Sequence, residues 1–174
     1  MEKEKTQEGE DAMKISEIGE NCDHFIWCFQ NLVEPEKCRR NEIERRIMSD
    51  PFYSHKNGYK MCLLLYPDGF CTRKGTFLSL YISVMPGEFD HILQWPFLHE
   101  IKLDLLNQKT GLVHISHSVK YNDDPSAHLW SRPIGKRNVG VGVSQFIDLS
   151  KLVSNRALYR NNQIKIKVTT KLKH

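Results

Sequence analysis

Residues 59–84 read YKMCLLLYPDGFCTRKGTFLSLYISV. Two runs of aliphatic, aromatic and β-branched residues flank a polar stretch that opens with Pro67-Asp68-Gly69. Proline presets one turn dihedral and glycine accepts positive φ, so the first run stops there as a turn. Tyr59–Tyr66 is apolar almost throughout and reads as a buried strand. Thr76–Val84 alternates, as a half-buried strand does, and Met85-Pro86-Gly87 ends it.

The same pattern continues on both sides. Upstream, His24–Gln30 (HFIWCFQ) reads as a strand and Phe52–Ser54 as a short one, the latter closed by the turn at Asn57-Gly58. Glu34–Ile47 is highly charged and reads as a surface loop or short helix. Downstream come Ile101–Leu106, Leu112–Val119, the glycine-interrupted Val139–Ile147, and Ile164–Leu172. In the last of these Ile164, Ile166 and Val168 share one face and Lys165 and Lys167 the other, which suits a sheet with one wet side. Short strands with Gly, Pro and Asn turns between them, and no long amphipathic helix after residue 50, predict an all-β fold. The expectation is an eight-stranded antiparallel β-sandwich over residues 22–174. Residues 1–21 form a polar lead-in in which Ile15, Ile18, Cys22 and Phe25 follow a 3-4-3 spacing. One heptad is too short to define a coiled coil. The lead-in therefore reads as disordered or as partly helical over Asp11–Ile18, the remnant of a longer helical stalk.

The chain has 174 residues, 40% hydrophobic and 26% charged, which fits one globular domain. No apolar run approaches the ~20 residues of a membrane span, and no apolar segment follows the first methionine. Five cysteines, none spaced C-x-x-C, read as free thiols rather than a disulfide framework. A cytoplasmic location without membrane insertion is the resulting expectation. The net charge of +4 hides an asymmetry: residues 1–20 carry −4, whereas Lys151–His174 holds seven basic residues and no acid. That stretch contains one aromatic, Tyr159, which is too few for the interleaved basic and stacking residues of a nucleic-acid surface.

The chemistry-bearing residues form no catalytic pattern. His114 and His117 sit three apart, and on a strand such positions point to opposite faces, so they do not converge on one metal ion. Cys62 lies inside an apolar strand, where a thiol packs inertly; Cys71, near Arg73 and Lys74, is the more reactive of the two. Val139-Gly140-Val141-Gly142-Val143 lacks the third glycine and the following helix of a phosphate loop. Glycines in a strand also let a second backbone approach closely, and at a sheet edge such a strand can accept an added peptide. No catalysis, cofactor or metal is expected.

Several unusual strings occur in one order: Phe25-Ile-Trp27, Pro51-Phe-Tyr53, Gly58-Tyr-Lys-Met-Cys-Leu63, Gly75-Thr-Phe-Leu-Ser-Leu80, Val84-Met-Pro-Gly-Glu-Phe-Asp90, Trp95-Pro-Phe97, Asn107-Gln108, Trp130-Ser-Arg-Pro133 and Gly140–Phe146. Together they make the chain resemble the C-terminal TRAF (MATH) domain of the tumour-necrosis-factor-receptor-associated factors, over roughly Cys22 to Leu172. The resemblance implies an eight-stranded antiparallel sandwich that trimerises below a coiled-coil stalk, here reduced to residues 1–21, which weakens the trimer. It implies a signalling adaptor that binds short extended segments of receptor tails or adaptor proteins beside an edge strand. The partners so implied are cytoplasmic tails of TNF-receptor-like receptors. The alternative is an oligomerisation or scaffold module with a vestigial groove.

The resemblance places the peptide edge at Val139, Gly140, Val141, Gly142 and Val143. It places Tyr66 and Tyr81 across the groove, and His128, Leu129 and Trp130 near the loop over the ligand's centre. Where the family commonly has an arginine this chain has Leu64, and where some members have an acid it has Phe70. A subgroup's serine run is reduced to Pro125-Ser-Ala-His128, and another subgroup's aromatic pair aligns with Val141 and Val143. The expectation is a more apolar groove to which the common ligand motifs bind poorly.

Overall fold

The computed structural model describes residues 16–18, 24–30, 46–121 and 125–171. Among these residues ten antiparallel strands form two sheets: β1 (Ser16–Ile18), β2 (His24–Gln30), β3 (Ile47–Met48), β4 (Phe52–Tyr53), β5 (Lys60–Tyr66), β6 (Phe77–Met85), β7 (Glu100–Leu106), β8 (Val113–Val119), β9 (Val141–Asp148) and β10 (Gln163–Lys171). One sheet runs β1-β2-β10-β7-β8; the other runs β3-β5-β6-β9, with β4 also paired to β5. All eight sequence-read strands are present, and β1 and β3 are added to them.

The core lies between the sheets because each strand turns one set of alternate residues inward. In β10, Ile164, Ile166 and Val168 are buried while Lys165 and Lys167 face outward. In β5 and β6 the inward sets are Met61, Leu63, Leu65 and Leu78, Leu80, Ile82, Val84. The strings that carried the resemblance meet here. Phe25 stacks on Phe52 at 4.1 Å. Tyr59 stands edge-on to Trp95 at 5.1 Å and to Phe97 at 4.8 Å. Its hydroxyl donates to the Gln94 carbonyl at 2.5 Å, so this aromatic knot ties the loop before β7 to the start of β5.

Three readings change. Residues 16–18 pair with Trp27–Phe25 of β2 as strand, not helix, because the edge of β2 offers ladder partners to a segment with little helical support of its own; residues 11–15 lie outside the described residues. The charged stretch Glu34–Ile47 also lies outside them up to residue 45, and its last residue, Ile47, begins β3. Strand β9 begins at Val141 rather than Val139 and is followed directly by a short helix, α1 (Leu149–Ser154). The Asp148 carboxylate caps that helix, accepting from the Ser150 amide at 2.8 Å and the Lys151 amide at 3.3 Å. Among the described residues no helix is long and apolar enough to cross a membrane.

Candidate peptide-binding edge

The outer face of the second sheet is not the wet face that an exposed sheet usually presents. Cys62, Leu64 and Tyr66 of β5 are buried there, and Met48, Phe70, Tyr81 and Met85 pack on them. The rings interlock: Tyr66 to Phe70 at 4.7 Å, Tyr66 to Tyr81 at 5.8 Å and Phe70 to Tyr81 at 5.5 Å. The register explains the grouping, since Leu64 pairs with Tyr81, and Tyr81 with Gly142. Burial pushes the Cys62 thiol above its usual range, while Arg137 and Arg46 pull it the other way.

Beside this cluster runs β9. It pairs with β6 on one side, and no strand among the described residues pairs on the other. Near its middle the ladder is irregular. Leu78 pairs with Ile147 and Leu80 with Val143, so Ser79 of β6 spans three residues of β9. The fully buried Ser79 hydroxyl holds this bulge by donating to the Ser144 carbonyl at 2.6 Å and accepting from the Phe70 amide at 3.0 Å. Replacing Ser79 with alanine orphans both groups and is expected to cost about 1–3 kcal/mol in denaturant unfolding. An unchanged midpoint would show that water takes the hydroxyl's place.

At the head of β9, Asn138 is the anchor. Its side-chain amide donates to the carbonyls of Leu129 and Ser131, each at 2.8 Å. Its own amide donates to Val84 O at 2.9 Å, and its carbonyl accepts from the Ser83 hydroxyl at 2.5 Å. These bonds fix the 3-10 turn Pro125–Trp130 against the start of the edge. At the other end, Gln145 turns its amide oxygen to the Arg73 guanidinium, at 2.6–3.0 Å from three nitrogens. On the far side of β9, His117 Nε2 lies 3.0 Å from Phe146 O and joins the two sheets. His114 is exposed on the opposite face, and no group of three or more metal-ligating side chains occurs among the described residues.

Of the predicted groove residues, Leu64, Tyr66, Phe70, Tyr81, Gly140 and Gly142 come together. Val139 is exposed at the head of the edge. His128 and Leu129 sit on the anchored turn. The others are corrected. Trp130 is a core residue, 1% exposed and stacked on Phe97 at 5.4 Å. Val141 and Val143 pair with Ile82 and Leu80 and pack on the core, so only their backbone reaches the edge. Gly142 does provide a close approach, but to β6 of its own sheet: a Cβ there would lie 2.2 Å from Leu80 O. The anchors Asn138 and Ser79 were missed, because a single polar residue beside a strand gives no periodic signal.

A two-sheet antiparallel sandwich, with an edge strand that has no outer partner among the described residues beside an apolar face, defines the class of an antiparallel β-sandwich domain. The family profile described as TRAF/meprin, MATH domain matches residues 44–167. Mouse (Mus musculus) TNF receptor-associated factor 5 is 38% identical over 127 residues, covering 72% of this chain and 22% of that protein. Human (Homo sapiens) TNF receptor-associated factor 1 is 36% identical over 138 residues, covering 78% of this chain and 32% of that one. The solved structure of Notothenia coriiceps TRAF5 superposes with a TM-score of 0.74 at 31% identity, over 87% of this chain and 74% of the other. The chain belongs to the TRAF family and carries its MATH domain. It spans less than two-fifths of the length of these curated relatives.

Proposed function

We propose that this chain is a cytoplasmic signalling-adaptor domain that receives a short extended peptide along Val139–Val143. The peptide lies over the partly exposed rings of Phe70 and Tyr81, which pack on the buried Leu64 and Tyr66. The observation that supports this is the coincidence of an edge strand that has no outer partner among the described residues with an apolar cluster on the same sheet's outer face. Each added main-chain hydrogen bond contributes about 0.5–1.5 kcal/mol net, and covering the rings adds the hydrophobic part. Segments from receptor tails or adaptor proteins, such as those of the TNF-receptor type, are the partners in this reading, and a trimer is its assembly.

The apolar centre sets the selectivity. Leu64 and Phe70 offer neither charge nor hydrogen bond to a polar ligand side chain, so burying one there costs about 1–3 kcal/mol. Receptor-tail peptides recognised by other family members are expected to bind weaker than low-micromolar in calorimetric titration, and tighter binding would refute the apolar-groove reading. Short peptides selected from a random display library are expected to lose about tenfold in affinity on Tyr81→Ala. If that variant, folded by circular dichroism, binds them as tightly as the wild type, the site lies elsewhere. A library that yields no peptide at all leaves the scaffold role.

A further inference from the structure

At the head of β9 the apolar face runs into a pocket of about 560 Å³. Met48 and Met85, both members of the outer-face cluster, belong to its lining together with Arg46, Lys136, Arg137 and Val139. Three cations thus line the pocket, and no carboxylate among the described residues does. The cations come from separate places, Arg46 from just before β3 and the other two from just before β9. Their clustering is therefore a product of the fold.

One of the three is held at a cost. Nε of Arg46 is sealed from solvent and has no hydrogen-bond partner among the described residues. A buried donor on a charged group without an acceptor is destabilising, and gathering like charges adds to that. Arg137 is partly engaged, with Nη1 donating to the Asn138 carbonyl at 3.2 Å, which holds it at the strand head. An anion entering here would meet a planar guanidinium donor, two further positive charges and a thioether surface suited to a short aliphatic stem.

We propose that this pocket takes the carboxylate of an Asp or Glu side chain from the same extended peptide that β9 receives. The proposal rests on the strand-addition reading and adds to it. The partner segment is apolar where it crosses Leu64 and Tyr81 and acidic where it passes Arg46 and Arg137. Lys136, carried on the same loop as Arg137, contributes long-range attraction and faster encounter rather than register.

The test uses a random short-peptide display library panned on the full chain as wild type, as Arg46→Gln/Arg137→Gln and as Arg46→Lys/Arg137→Lys. Wild type is expected to enrich apolar peptides carrying Asp or Glu at one fixed offset from the apolar pair. The Gln variant is expected to keep the apolar preference and lose the acidic one. It should bind the best wild-type peptide about tenfold more weakly, and replacing the peptide's own acid with its amide should have the same effect on wild type. The Lys variant should retain the acidic preference, and thermal melts should show all three folded. Equal enrichment of acid by wild type and the Gln variant would overturn the pocket assignment while leaving strand addition intact. Enrichment of nothing by wild type would overturn both.

Discussion

Trp130→Ala is expected to lower the free energy of unfolding by about 3–5 kcal/mol, the range for deleting a large buried aromatic. The indole is 1% exposed and lies at 22° to the Phe97 ring, 5.4 Å away. Phe97 is itself fully buried, and its amide donates to the Trp130 carbonyl at 2.8 Å. Phe97 then meets Tyr59 edge-on, so the cavity left by the indole would open beneath the aromatic knot that positions β5. A cavity of indole size in a close-packed interior puts the cost at the high end of large-to-small changes. The measurement is denaturant unfolding, with Trp130→Phe as a milder companion that keeps a ring on Phe97. Loss of peptide affinity should follow loss of fold. A Trp130→Ala protein as stable as wild type but unable to bind peptide would return this residue to the groove wall.

The contrast between Trp130 and its neighbours shows where a sequence can be read and where it cannot. β2 and β10 are legible because alternation over seven to nine residues has one physical explanation, a pleated strand with one buried side; β6, expected from its alternation to be half-buried, is instead buried on both faces over most of its length. β1 and β3, at three and two residues, are too short to carry a period, and their pairing depends on what lies beside them. The grouping of Leu64, Tyr66 and Tyr81 on one face is legible because β5 and β6 keep an ordinary register, which sets Leu64 against Tyr81. β9 is different. Alternating valine and glycine from Val139 to Val143 fixes that two faces differ, yet not which of them meets the core. The valines at 141 and 143 point inward and the glycines outward, a choice made by the pairing with β6 and by the bulge at Ser79. An aromatic next to a loop is equally compatible with groove and core. Arg46 and Arg137 are far apart in the chain, and only the completed sheet brings both to the pocket beside Val139.

Gly142→Val is expected to do damage of the same order as the loss of the indole, and for a reason that bears on the edge itself. A Cβ at this position would stand 2.2 Å from the Leu80 carbonyl oxygen and 2.5 Å from Tyr81 Cα. Both are backbone atoms of β6, so no rotamer change relieves the contact, and β9 has to part from β6 where Tyr81 pairs with Gly142. Overpacking that forces backbone apart costs about 1–3 kcal/mol even where the strain spreads, and lost ladder bonds add to it. A total of about 3 kcal/mol or more is expected in denaturant unfolding, with faster amide exchange across Leu80–Ile82 and Val141–Val143. Gly140→Ala provides the control. Its nearest neighbours would be Leu64 Cδ1 at 2.8 Å and Tyr81 Cβ at 3.2 Å. The first is the far end of a flexible side chain, so the fold should survive with a narrower groove. If the two glycines served only an incoming peptide, both variants would fold normally and merely fail to bind. Wild-type stability of Gly142→Val would therefore refute the β6–β9 register, and with it the edge on which peptide addition depends.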